Sequence, residues 1–143
     1  MSETIVAVLN GAVQALAFAL VARMAGERYR IWLHAGMLVV AAGLYVVFAA
    51  RGGSAVGVAV ELVGVAGFGG LAVLGLARRA PGLLALGWAL HPAWDAALHT
   101  AGSFEAYTPD GWVAACFGFD LVLAALIARG WAGAPARLRP VPA

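Results

Sequence analysis

Residues 55–79 read AVGVAVELVGVAGFGGLAVLGLARR, and this stretch decides the fold. Between Ser54 and Arg78 a single ionisable residue, Glu61, interrupts an otherwise apolar run. A helix needs about 20 such residues to cross a ~30 Å hydrocarbon core, and this run is long enough. Ser54 is placed to cap it, and Arg78-Arg79 closes it with charge. The rest of the chain has the same character. Of 143 residues 64% are hydrophobic and 11% charged, whereas soluble domains carry roughly 25% charged residues. An ordinary soluble domain is therefore excluded.

Moving outward, further apolar runs predict helices over 4–23, 31–50, 81–99 and 109–129, with 55–77 between them. The first run follows an acidic start and has neither the basic leader nor the cleavage site of a secretory signal, so it reads as a retained helix. Arg23 to Arg30 and Arg51-Gly52-Gly53 read as turns, and Pro81 stands where a first-turn proline is tolerated. Thr108-Pro109-Asp110 has the order of a cap, a first-position proline and a first-turn acid, which predicts the start of the fifth helix there. Residues 101–108 read as a loop and 130–143, rich in Pro and Ala, as a disordered tail. The expected architecture is all-α: one domain, 1–129, a bundle of five transmembrane helices.

The arginines orient it. All nine basic residues are arginine, which removes lysine chemistry such as a retinal Schiff base. With five helices, Arg23, Arg28, Arg30, Arg78, Arg79, Arg129, Arg137 and Arg139 fall on one side and only Arg51 on the other. Cytoplasmic loops collect arginine, so the N-terminus is expected outside and the C-terminus in the cytoplasm. A net charge of +2 gives no reason to expect nucleic acid as a partner. Cys116, the only cysteine, excludes an internal disulfide and a CxxC pair. Small residues recur every four positions at Gly11, Ala15 and Ala19, at Gly53 and Gly57, and at Ala89, Ala93 and Ala97. Such stripes let helices approach closely, within the bundle or in a homo-oligomer.

Ionisable residues within these runs are costly and need a reason. The stretch LHPAWDAALH, 90–99, places His91, Asp95 and His99 at i, i+4 and i+8, within about 80° of one another on one helix face. At 1.5 Å per residue His91, Gln14 and Asp120 fall near the midplane, Asn10, Glu61 and Asp95 about 5 Å further out, and His99 at the outer boundary. One shared polar cavity in the outer half is the expectation, widened by a kink at Pro92. Imidazoles and carboxylates suit zinc, iron or manganese, with zinc first among divalent metals. The expected metal ligands are His91, Asp95, Asp120 and His99, with Asp95 and Glu61 as catalytic carboxylates. Trp88, Trp94, Asn10 and Gln14 are candidates to wall a substrate pocket. His34, near the cytoplasmic end of its helix, stays outside the set. The bland alternatives are buried pairs, such as Glu61 or Asp120 with His91, that merely hold helices together, and tryptophans of an interfacial belt.

His91, Trp94, Asp95 and His99 resemble the helix of small uncharacterised bacterial integral membrane proteins that carry an HxxWD motif followed by one or two histidines. That likeness implies a bacterial plasma membrane location and no particular activity. The same residues are distantly similar to membrane hydrolases of the alkaline ceramidase and adiponectin-receptor type, in which histidines and an aspartate surround zinc. The chain departs from those in its five helices, its HxxxDxxxH spacing and the lack of a serine within a helix core. The leading expectation is a metal-dependent intramembrane hydrolase acting on a membrane lipid or other apolar substrate. The rivals are a proton-coupled small transporter or channel, and a structural membrane subunit.

Overall fold

The computed structural model describes residues 1–100 and 104–131. Among them are five α-helices: α1 (Glu3–Met24), α2 (Glu27–Arg51), α3 (Ala55–Ala77), α4 (Pro81–His99) and α5 (Trp112–Ala128). A 3-10 turn, Glu105–Tyr107, lies between the last two. The expected disorder of the tail falls outside the described residues from position 132 onward, as does the start of the expected 101–108 loop.

Local chemistry sets the helix ends. Ser2 Oγ accepts from the Ile5 amide and Ser54 Oγ from the Gly57 amide, satisfying donors that a helix start leaves open. Two boundaries differ from expectation. The segment from Arg23 to Arg30 is not a loop: only Ala25 and Gly26 separate α1 from α2, so Arg28 and Arg30 ride on the helix. Nor does Thr108 open α5. Its hydroxyl donates back to the Phe104 carbonyl at 3.0 Å, and Gly111, at φ 72°, redirects the chain so that α5 starts at Trp112.

The fourth helix is the centre of the assembly. α5 packs along α1 on one side and α4 on the other, α4 continues onto α3, and α3 onto α2. The α1–α5 seam is the tightest. A methyl group at Gly11 would overlap the Ala115 carbonyl, and one at Gly118 would overlap the Val8 carbonyl. Contact this close is how helices associate in lipid, where apolar burial alone supplies no preference. The stripe Gly11, Ala15 and Ala19 is accordingly buried. Gly57 is buried beneath Tyr107, whereas Gly53 is exposed in a turn. Ala89, Ala93 and Ala97 instead face outward, because α4 turns its His91 face inward.

The bundle is apolar outside and ionisable inside. Val13, Leu20, Val56, Val63 and Val73 are more than half exposed, while His34, Glu61, His91, Asp95, His99 and Asp120 are buried. α1, α2 and α3 are each long and apolar enough to cross a membrane. α4 is diluted by its polar face, and α5, at 17 residues, is about 26 Å long. This pattern points to membrane association.

Candidate metal centre

The inward face of α4 meets three other helices at mid-bundle. His91 Nδ1 lies 2.8 Å from Asp120 Oδ2 on α5 and 3.4 Å from Asp95 Oδ2 one turn along α4. Tyr45, on α2, donates its hydroxyl to the same Asp95 oxygen at 2.8 Å. Phe68 of α3 stands edge-to-face with the His91 ring at 4.9 Å. Four helices therefore contribute to one spot, and His91, Asp95 and Asp120 are each at most 1% exposed.

The spacing is chemically informative. Ligands around a small divalent ion at ~2.0–2.1 Å stand roughly 3.3 Å apart. The contacts from His91 Nδ1 to the two carboxylate oxygens bracket that figure. His91, Asp95 and Asp120 thus form a buried group that could hold a metal ion. Its hydrogen bonding is also incomplete: His91 Nε2, Asp95 Oδ1 and Asp120 Oδ1 have no partner among the described residues. Buried polar atoms are normally paired, so three unpaired ones around two carboxylates leave the site short of positive charge.

The remaining predicted residues do not join this group. Glu61 sits in a second, outer cluster, where its Oε1 accepts from the Tyr107 hydroxyl at 2.9 Å and lies 3.1 Å from His99 Nε2. Its other oxygen, Oε2, accepts from Trp94 Nε1 at 3.4 Å. His99 Nδ1 lies 3.3 Å from the Phe104 carbonyl and 3.2 Å from the Thr108 hydroxyl. The single expected cavity is therefore two clusters, because i and i+8 on one helix stand about 12 Å apart along its axis. Of the four expected ligands the structure brings together His91, Asp95 and Asp120; His99 stands instead beside Glu61, and neither of these two joins the group.

Tyr45 is the residue sequence reasoning missed. Its ring stacks on His99 at 4.4 Å and 15° while its hydroxyl reaches Asp95, so it stands between the clusters. A lone hydroxyl within the apolar run 31–50 was the available signal. His34 is buried against Phe18, apart from both clusters.

A family model matches residues 3–136, nearly the whole chain. The chain belongs to DUF6010, a family of unknown function. No curated protein and no solved structure matches it.

In this DUF6010 chain the triad adjoins a groove of about 440 Å³ between α1 and α2, floored by α5. Asp120 lines it, together with Asn10 and Gln14, whose side chains are exposed on α1. The other two predicted pocket residues lie elsewhere. Trp88 is fully buried in the core, and Trp94 is held by Glu61.

Proposed function

We propose that this DUF6010 protein is a five-span integral membrane enzyme, N-terminus outside, that holds a divalent metal on His91, Asp95 and Asp120. The observation that carries the reading is the buried triad with three unpartnered polar atoms, two of them carboxylate oxygens. The mixed nitrogen and oxygen donors favour zinc. α4 and α5 complete the spans by packing their polar faces inward, and the eight-to-one arginine distribution orients them.

The reaction class is hydrolysis of an ester or amide in an apolar molecule. A metal held by His91, Asp95 and Asp120 would supply Lewis acidity and would lower the pKa of water towards ~7. The chain supplies the rest. Asp95, steadied by the Tyr45 hydroxyl at Oδ2, offers its unpartnered Oδ1 to take the proton from water as the new C–O bond forms. That proton then passes to the oxygen or nitrogen that leaves when the scissile bond breaks. Asp120 links the triad to the groove through which an apolar substrate enters from lipid.

Elemental analysis of detergent-purified protein, freed of any histidine tag, tests this. Near-stoichiometric metal in the parent and background levels in His91→Ala and Asp95→Ala are expected. Folded parent protein without metal overturns the reading. It would favour the second one, a proton carrier, for which an imidazole shared between two carboxylates is equally suited. A carrier acts only across a sealed vesicle, whereas the enzyme turns over in detergent.

A further inference from the structure

The groove between α1 and α2 has a chemistry of its own. Its wall is largely apolar, with Val40 and Leu44 on the α2 side. Its polar groups are the amides of Asn10 and Gln14, the carboxylates of Asp110 and Asp120, the Cys116 thiol and the indole N–H of Trp112, which has no partner among the described residues. No arginine or histidine lines it. Asn10 and Gln14 stand one turn apart on α1, and among the described residues no hydrogen bond engages either amide. A protein facing lipid has reason to avoid two such amides, because lipid offers them no partner.

Asp120, one of whose oxygens faces His91 in the triad, supplies a second pointer to a ligand. It is 1% exposed, its Oδ2 is taken by His91, and its Oδ1 has no partner while the residue lines the groove. An unpaired carboxylate oxygen accepts from an N–H or O–H, and Asp110, outside the triad, gives the groove a negative charge that repels an anion. The volume lies in the lower half of the ~300–1,000 Å³ range of small-molecule sites, room for one alkyl chain within the groove.

We infer that the groove binds a single-chain amphiphile whose headgroup carries an N–H or O–H donor and no negative charge. The donor meets Asp120 Oδ1, the Asn10 and Gln14 amides hold the headgroup's oxygen, and the chain lies along Val40 and Leu44. The inference rests on the metal reading only in making this amphiphile the substrate; binding itself needs no metal.

Photo-crosslinking of the full-length protein in lipid nanodiscs tests it. The probes are a long-chain alcohol and the carboxylate of equal chain length, each bearing a diazirine on the chain, with labelled peptides located by mass spectrometry. The alcohol is expected to label α1, α2 and α5 at the groove, with competition by the unlabelled alcohol or amine, and the carboxylate to label about tenfold less. Ala41→Trp, which fills the groove, abolishes labelling and keeps the metal content of the parent. Replacing Asn10 and Gln14 by Leu on the exposed face of α1 leaves the fold intact and weakens alcohol competition several-fold. Equal labelling by the carboxylate, or labelling that ignores both variants, overturns the inference. Groove labelling of protein found to be metal-free upholds the inference and removes the metal reading; metal-loaded protein that fails to label at the groove overturns the inference alone.

Discussion

The two ionisable clusters on α4 use the same residue types and differ in how fully their carboxylates are satisfied. In the outer one Glu61 engages Tyr107, His99 and Trp94, so both of its oxygens have partners. In the inner one, two carboxylates share one imidazole and one phenol, and an oxygen of each is left over. His99 Nε2, 3.1 Å from Glu61 Oε1, makes an ion-pair contact without hydrogen-bond alignment, yet both carboxylate oxygens are engaged, and they tie the turn at Glu105–Tyr107 to α3 and α4. Carboxylates left unsatisfied at the same burial need something further to bind. Unpaired carboxylate oxygens, not residue type or spacing, distinguish the inner cluster from the outer one.

The largest test of that contrast exchanges the acids for amides. Asp120→Asn removes a ligand charge and is expected to bring bound metal to background, read by elemental analysis, whereas Glu61→Gln leaves metal near the parent level. Stability should follow the reverse pattern. Glu61→Ala strips His99 of its buried partner, and breaking such a pair costs about 3–5 kcal/mol. A large fall in thermal midpoint with metal retained is the expected outcome; metal loss in Glu61→Ala would merge the two clusters into one site.

Much of this was legible from the chain. Five helices, their order and most of their ends follow from apolar run length and from Ser54 and Pro81. Depth along the helices brought His91, Asp95 and Asp120 together. Depth says nothing about rotation, however, and that, with the roughly 12 Å between His91 and His99 along α4, is where the reading of one shared cavity failed. Glu61 and Asp95 stand at similar depth on neighbouring helices, yet Glu61 reaches the outer turn, because Tyr107 and His99 approach it from above. Asn10 and Gln14 point into a side groove for a related reason. The tight Gly11–Ala115 and Val8–Gly118 contacts fix the rotation of α1 against α5, and no composition rule shows which of two glycine-bearing helices will pair.

Tyr45 sharpens the comparison because it serves both clusters with different parts of itself. Tyr45→Phe keeps the ring stacked on His99 and deletes the hydroxyl that steadies Asp95. Loss of such a supporting bond typically costs 10–100-fold in metal affinity. Competition with a chelator should register that loss, with a stability change of only about 1 kcal/mol. Tyr107→Phe, the matching deletion in the outer cluster, should cost a similar amount of stability and leave metal affinity unchanged. If both variants weaken metal equally, Tyr45 acts through general packing and not through Asp95.

The smallest effect is an alkaline one, confined to the outer cluster. Burial, and then the hydrogen bond to Glu61, push the Tyr107 phenol above its ordinary value of 10.0. The folded state therefore holds this proton more tightly than the unfolded chain does. Where the unfolded chain has lost the proton and the folded one has not, stability falls as pH rises. The contribution is complete below pH 10.0 and declines above it. Denaturation of the parent at stepped alkaline pH should show that decline, and Tyr107→Phe should flatten it. An unchanged slope in Tyr107→Phe would mean that the phenol ionises freely and that the outer cluster is less closed than its bonds to Glu61 imply.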